Sequence, residues 1–379
     1  MTVEAPARPV PTQEIASHAA EVDRDGRFPT ESVEALRRDG LLGLGVGPDH
    51  GGPGGTPVEI VQAIEQVAGA CSSTGMIYVM HVVATQTLLA GIADGGVTAE
   101  TAGRIAAGEH LTTLAYSEKG SRSHFWAQVS RAEHDGDGVR FDADKSWVTS
   151  AGHVDSYVTA VGAPGADGPT TTELYLVDAD TPGISITGTY DGVGMRGNAS
   201  TPMSFGSVHV ASERRLSEPA SGFGLMMSAT LPWFVLGSAA CSVGIAGAAL
   251  EAVVAHASRA RFEHLEGTSL ADLPTIRARL ADAKVRHMQA RALLYEVAGQ
   301  VAAGAPEAEL GVLALKAAAG EMAIDVTDRA MRIGGGAAYS RHLPLERLFR
   351  DARAASVMAP TTDLLYDFIG KAITGQELF

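Results

Sequence analysis

Three textures follow one another along this chain of 379 residues, and their order limits the fold more than any other feature. Residues 12–108 carry apolar positions at helical spacing, as in PVEIVQAIEQVAGA at 57–70. From about Leu111 the pattern changes to short β-prone runs at 139–141, 146–149, 156–161, 173–177, 184–187 and 203–210, separated by Gly, Asp and Pro. Beyond Gly222 the chain turns helical and alanine-rich, with long segments near 231–260, 272–303, 306–333 and 359–373. Strands gathered in one block between two helical blocks predict an α+β chain rather than an alternating α/β fold. The expected division is an N-terminal all-helical domain over 1–110, a middle β domain over 111–213 and a C-terminal helical domain over 214–379.

Charge narrows the partners. A formal net charge of −15 argues against nucleic acid and against an anionic membrane surface, since both need a basic face. Residues 231–250 hold no charge and are long enough to cross a bilayer. Small residues dominate this stretch, basic flanks are absent and Pro232 suits a first helical turn, so a buried core helix is expected and no membrane. Cys71 and Cys241 lie far apart in apolar runs, with neither a disulfide framework nor a metal-ligand spacing. A cytoplasmic location follows as the default, and the N-terminus lacks the basic-then-apolar start of a secretory signal. The glycine-rich stretch 43–55 has no GK[ST] after it and reads as a turn-rich linker, not a phosphate loop. His81, a polar outlier in the apolar run 71–90, is expected to be a satisfied core residue.

Several motifs carry the chemistry, and they occur in a fixed order. Tyr116-Ser117-Glu118-Lys119-Gly120-Ser121-Arg122-Ser123 places short hydroxyls and a cation in one loop, a set that donates to carbonyl and phosphate oxygens. Lys145-Ser146-Trp147-Val148-Thr149 follows on a strand, then Gly192-Val193-Gly194-Met195-Arg196-Gly197 and Phe205-Gly206-x-Val208-x-Val210. Arg259-Ala260-Arg261-Phe262 lies in the helical half, and Gly334-Gly335-Gly336 precedes Pro344-x-Glu346-Arg347-x-x-Arg350-Asp351-Ala352-Arg353. This succession resembles the acyl-CoA dehydrogenase family over nearly the whole chain.

The resemblance implies an N-terminal helical domain, a middle β-barrel or sandwich and a C-terminal four-helix bundle, with FAD as cofactor. It implies that Ser117 and the Tyr116 backbone meet the flavin ring, that Ser123 meets the pyrophosphate with help from Arg122, and that Trp147 and Thr149 lie beside the ring. A strand Trp is more often plain core, but the Thr that follows and the loop upstream favour the flavin. Arg259 and Phe262 would reach the FAD of a neighbouring subunit, in a homotetramer built as a dimer of dimers. Arg332, Gly335, Gly336, Thr361 and Asp363 fall on further dinucleotide-contacting positions. The glycine-rich segment 192–197 is expected to be structural.

One working part is missing. In most of the family a Glu in the loop after the Arg-Asp-Ala motif takes the α-proton of an acyl thioester, and that position here is Ala359. The alternative place for the carboxylate, on the helix that opens the C-terminal domain, falls near Phe234, and no acid lies between Glu218 and Glu251. General-base assistance is worth roughly 10²–10⁴ in rate, so its loss matters. Three readings stay open. The first is α,β-dehydrogenation of an acyl thioester, with a base from Asp363, Glu118, His124 or His342 or with none, and an electron-transfer flavoprotein as acceptor. The second is a flavin monooxygenase using O₂ and a flavin reductase, and the third is a C–S bond-cleaving or non-dehydrogenating member.

Overall fold

The computed structural model describes residues 8–91, 96–122 and 124–378. Five helices open the chain: α1 Thr12–Asp25, α2 Thr30–Arg38, α3 Pro57–Ala70, α4 Ser72–Gly91 and α5 Val97–Ala106. Thr56 caps α3 through a reciprocal pair with Glu59, its hydroxyl taking the Glu59 N–H while the carboxylate takes the Thr56 N–H. Helix α4 is apolar on nearly every side and correspondingly buried, which makes it the axis of this part. The glycine-rich linker 43–55 forms turns and one short 3₁₀ segment at Pro48–His50.

Seven strands follow: β1 Thr112–Ala115, β2 Ala132–Asp135, β3 Gly138–Val148, β4 Ser156–Gly162, β5 Thr172–Asp178, β6 Ile184–Ile186 and β7 Thr201–Ala211. They make two sheets, β1-β4-β5 and β2-β3-β7-β6. Strand β1 runs parallel to β4, and all other pairs are antiparallel. The sheets meet face to face as a sandwich, with Tyr157 of one edge-on to Phe205 of the other at 6.2 Å. The β-prone runs 139–141 and 146–149 fall largely on one long strand, β3, because two register shifts against β7 let it bend without ending.

The remainder is helical: α6 Gly222–Leu225, α7 Leu231–Arg259, α8 Pro274–Ala303, α9 Ala308–Tyr339, α10 Leu345–Asp351, α11 Ala354–Val357 and α12 Thr362–Ile373. A small hairpin of β8 Arg261–Phe262 and β9 Thr268–Ser269 interrupts what the sequence suggests is all helix. The uncharged stretch 231–250 forms most of α7 and packs against α3, α4, α8 and α9. Its span-like hydropathy reflects burial, since 78% of the apolar window is enclosed by protein. Close packing there requires glycine: a Cβ on Gly244 would collide with the Glu65 carbonyl of α3. Helices α7, α8 and α9 pack on one another, with α12 on α9.

Candidate active site

A cavity of about 1000 Å³ opens where the sandwich meets α4, the start of α7 and the α10–α11 segment. That volume is at the upper end for small-molecule sites, roughly 300–1,000 Å³. Its walls bring together five of the residues expected to hold the cofactor: Tyr116, Ser117, Arg122, Trp147 and Thr149. Ser123 lies outside the described residues.

The strand geometry explains how Trp147 reaches the cavity. It sits at the register shift between Lys145 and Val148, with φ of 56°, and its indole is 70% exposed. A bulge here turns the ring out of the sheet. Arg122 and Met195, also on the cavity wall, share left-handed backbone at φ 54° and 50°. Such conformations cost of order 1–3 kcal/mol each and gather at ligand-holding sites.

The loop beneath is anchored from inside. The Lys145 ammonium donates to Glu118 at 2.7 Å, to the Gln128 side chain at 3.1 Å and to the Ala160 carbonyl. Glu118 also accepts from the Ser130 hydroxyl and from the N–H groups of Val129 and Ser130. Burial alone would raise the Glu118 pKa, but Lys145 and the Ser130 donors outweigh it and hold the carboxyl below its ordinary value. Every strong acceptor position of Glu118 is thus occupied, and it does not line the cavity.

The segment 192–197 is expected to be structural, yet Gly192 through Met195 form cavity wall, together with the preceding Tyr190 and Asp191. Packing fixes them there. The Met195 N–H donates to Asp351 at 2.6 Å, Arg350 donates to the Val193 carbonyl at 3.0 Å, and a Cβ on Gly194 would press on the Asp351 backbone at 2.8 Å. Arg350 is itself held by Asp23, through bonds of 2.6 and 2.9 Å, and by Glu346. Burial pushes the Asp351 carboxyl up to about 6.

Ala359 and Phe234 both line this cavity. Among the described residues the one carboxylate on its wall is Asp191, whose side chain is 89% exposed and faces Arg196. Glu118, His124, His342 and Asp363 are not on the wall; the last three are solvent-exposed. Two cations on the wall, Arg122 and Arg353, form no close ion pair among the described residues, although Arg353 feels Asp325 and Asp328 at longer range and lies 4.0 Å over the Phe349 ring. Thr230 completes the rim through π-helical winding at Met226–Thr230, bonding Thr87 at 2.9 Å and Tyr116 at 3.3 Å.

Seven other residues singled out from sequence lie away from this cavity. Arg259 ends α7 exposed, donating to the Ala255 carbonyl, and Phe262 lies edge-on to His264. Arg332 is exposed and paired with Asp328 at 2.9 Å. Gly335, at φ 53°, breaks α9 into two helical stretches with Gly336 beyond it, while Thr361 and Asp363 open α12. Among the described residues no group of three or more His, Cys, Asp or Glu side chains is placed to hold a metal.

A helical block, a two-sheet sandwich and a helical bundle meeting at one deep cavity define a class: enzymes with the acyl-CoA dehydrogenase fold. The chain belongs to the acyl-CoA dehydrogenase family. It matches that family's N-terminal domain over residues 3–109, its middle domain over 113–208 and its C-terminal domain over 220–374. A probable acyl-CoA dehydrogenase of Bacillus subtilis is 31% identical over 93% of this chain and 92% of its own length. A 3-sulfinopropanoyl-CoA desulfinase of Paraburkholderia xenovorans is 29% identical over 98% of this chain and 95% of its own. The butyryl-CoA dehydrogenase of Megasphaera elsdenii superposes with a TM-score of 0.89 at 24% identity, covering 96% of this chain and 94% of that one.

Proposed function

We propose that this protein is an FAD-dependent oxidoreductase acting on an acyl thioester, in which neither usual position supplies a carboxylate to take the α-proton. The observation that carries the proposal is that Ala359 and Phe234 both face the cavity and neither can accept a proton.

The residues present fit a flavin. An exposed indole, Trp147, flanks a cavity lined by the Ser117 and Thr149 hydroxyls, with the Arg122 guanidinium free of any acid among the described residues. Such a set suits a planar ring carrying carbonyls together with a phosphate. When bound, FAD supplies a two-electron acceptor. Trp147 would flank the ring, Ser117 and Thr149 would donate to its polar edge, and Arg122 would balance phosphate charge. Phe234, Met76 and Met80 give the substrate end an apolar wall that excludes water.

Arg259, Phe262, Arg332, Gly335 and Gly336 are remote from the cavity of their own chain. In our account they serve the cofactor of a second copy, within a cytoplasmic homotetramer. Reoxidation would fall to an electron-transfer flavoprotein.

A second reading, C–S bond cleavage on a thioester bearing a sulfur oxyanion, is favoured by the unpaired Arg122 and Arg353 and by the full-length similarity to the desulfinase. Anaerobic titration of the FAD-loaded protein with a panel of acyl-CoAs separates the two. Bleaching of the visible flavin band by one chain class supports the oxidoreductase. Sulfite release from 3-sulfinopropanoyl-CoA without bleaching moves the assignment to C–S cleavage.

A further inference from the structure

Lys316, in the first third of α9, is a charged residue in an apolar place. It is 2% exposed, and no acid pairs with it among the described residues. Its ammonium instead donates to three backbone carbonyls of one short segment: Ala355 at 3.2 Å, Met358 at 3.0 Å and Pro360 at 2.7 Å. Those three acceptors bracket Ala359, and both Met358 and Ala359 line the cavity. An ammonium has three N–H donors, so the match of donors to acceptors is complete. Burial pushes Lys316 down to about 7, while three carbonyl dipoles aimed at it favour the charged form.

We propose that Lys316 is a positioning residue: it holds the turn at 355–360 against α9 and so sets residue 359 as a fixed wall of the cavity. The turn itself has few other ties. Met358 N–H returns to Ala354, Ser356 bonds Arg353, and Leu365 N–H reaches back to Thr361. Those bonds are local and set the curl of the segment, not its seat on α9. One turn along the same face of α9, a Cβ on Gly320 would come within 3.3 Å of the Ala355 methyl, so the helix face is cut to receive this segment. A device that fixes the place of residue 359 is present although residue 359 is alanine. The missing carboxylate is therefore a side-chain substitution on an intact frame.

The test is hydrogen exchange by mass spectrometry on the FAD-loaded full chain, comparing wild type with Lys316→Met and Lys316→Gln. The expected result in Lys316→Met is roughly tenfold or faster exchange at amides 355–361, with the β4–β5 and α3–α4 amides unchanged. Lys316→Gln, with two donors and no charge, falls between, and it carries the test should Lys316→Met not fold. Unchanged exchange at 355–361, or equal acceleration throughout α9 and α12, overturns the proposal. A second readout rests on the proposed function: the rate of flavin bleaching gained by Ala359→Glu disappears when Lys316→Met is added. Exchange local to 355–361 without any such gain keeps the positioning role and tells against the function instead.

Discussion

Phe234, at the start of α7, and Ala359, in the turn before α12, line the same cavity from two different helical segments. In the proposed reading these are the two positions that would carry the carboxylate, and each offers only hydrocarbon. Neither point therefore offers a proton acceptor. Asp191, the one acid on the wall among the described residues, stands in solvent facing Arg196.

The cavity floor depends on a buried ion pair. Lys145 and Glu118 have side chains only 0% and 2% exposed. Lys145→Met leaves the carboxylate uncompensated and is expected to cost about 3–5 kcal/mol in urea unfolding. Adding Glu118→Gln should recover part of that loss, because the neutral amide no longer needs the ammonium. Additive losses in the double variant would deny the coupling.

Acid should weaken the joint between the first two domains. His81 is fully buried, its Nε2 at 3.0 Å from the Leu42 carbonyl while its Nδ1 accepts the Thr112 N–H at 3.2 Å, which fixes a neutral imidazole. Burial lowers its pKa to about 4 from 6.5. A histidine depressed in the folded state binds fewer protons there than when unfolded, so its contribution is whole above pH 6.5 and is lost as pH falls towards 4. The ceiling on that loss is about 3 kcal/mol. Unfolding free energies measured from pH 7 to 4 should fall more steeply in wild type than in His81→Gln. Parallel curves would remove His81 from the acid response.

Much of this architecture was legible before any coordinates. The block order of helix, strand and helix follows from spacing of apolar residues, and the loop 116–123 and Ala359 stand out by motif order. Other parts were not. Thr149 and the loop upstream already favoured a flavin contact for Trp147, but the bulge that turns its ring outward leaves little trace in composition. The segment 192–197 looked structural because the role of Gly192 through Met195 as cavity wall depends on Asp351 and Arg350, which arrive from far along the chain. Lys316 gave no signal, since a lysine in a helical run reads as surface until the turn at 355–360 closes over it.

Flavin retention should depend on a residue distant from its own chain's cavity. Arg259 is exposed and, among the described residues, bonds only its own helix, so Arg259→Ala should change stability by no more than about 0.5 kcal/mol. If it serves a second copy's cofactor as proposed, the same change should nevertheless lower flavin occupancy after gel filtration. Occupancy equal to wild type would take Arg259 out of the cofactor site.

The most direct measurement compares wild type with Ala359→Glu, both FAD-loaded and free of oxygen, following the rate at which a saturated acyl-CoA bleaches the flavin. Restoring a base on an intact frame should raise that rate by roughly 10²-fold or more, within the 10²–10⁴ expected of general-base assistance. Rapid bleaching by wild type, with no gain or a loss in Ala359→Glu, would contradict the account and show that a proton acceptor already operates elsewhere.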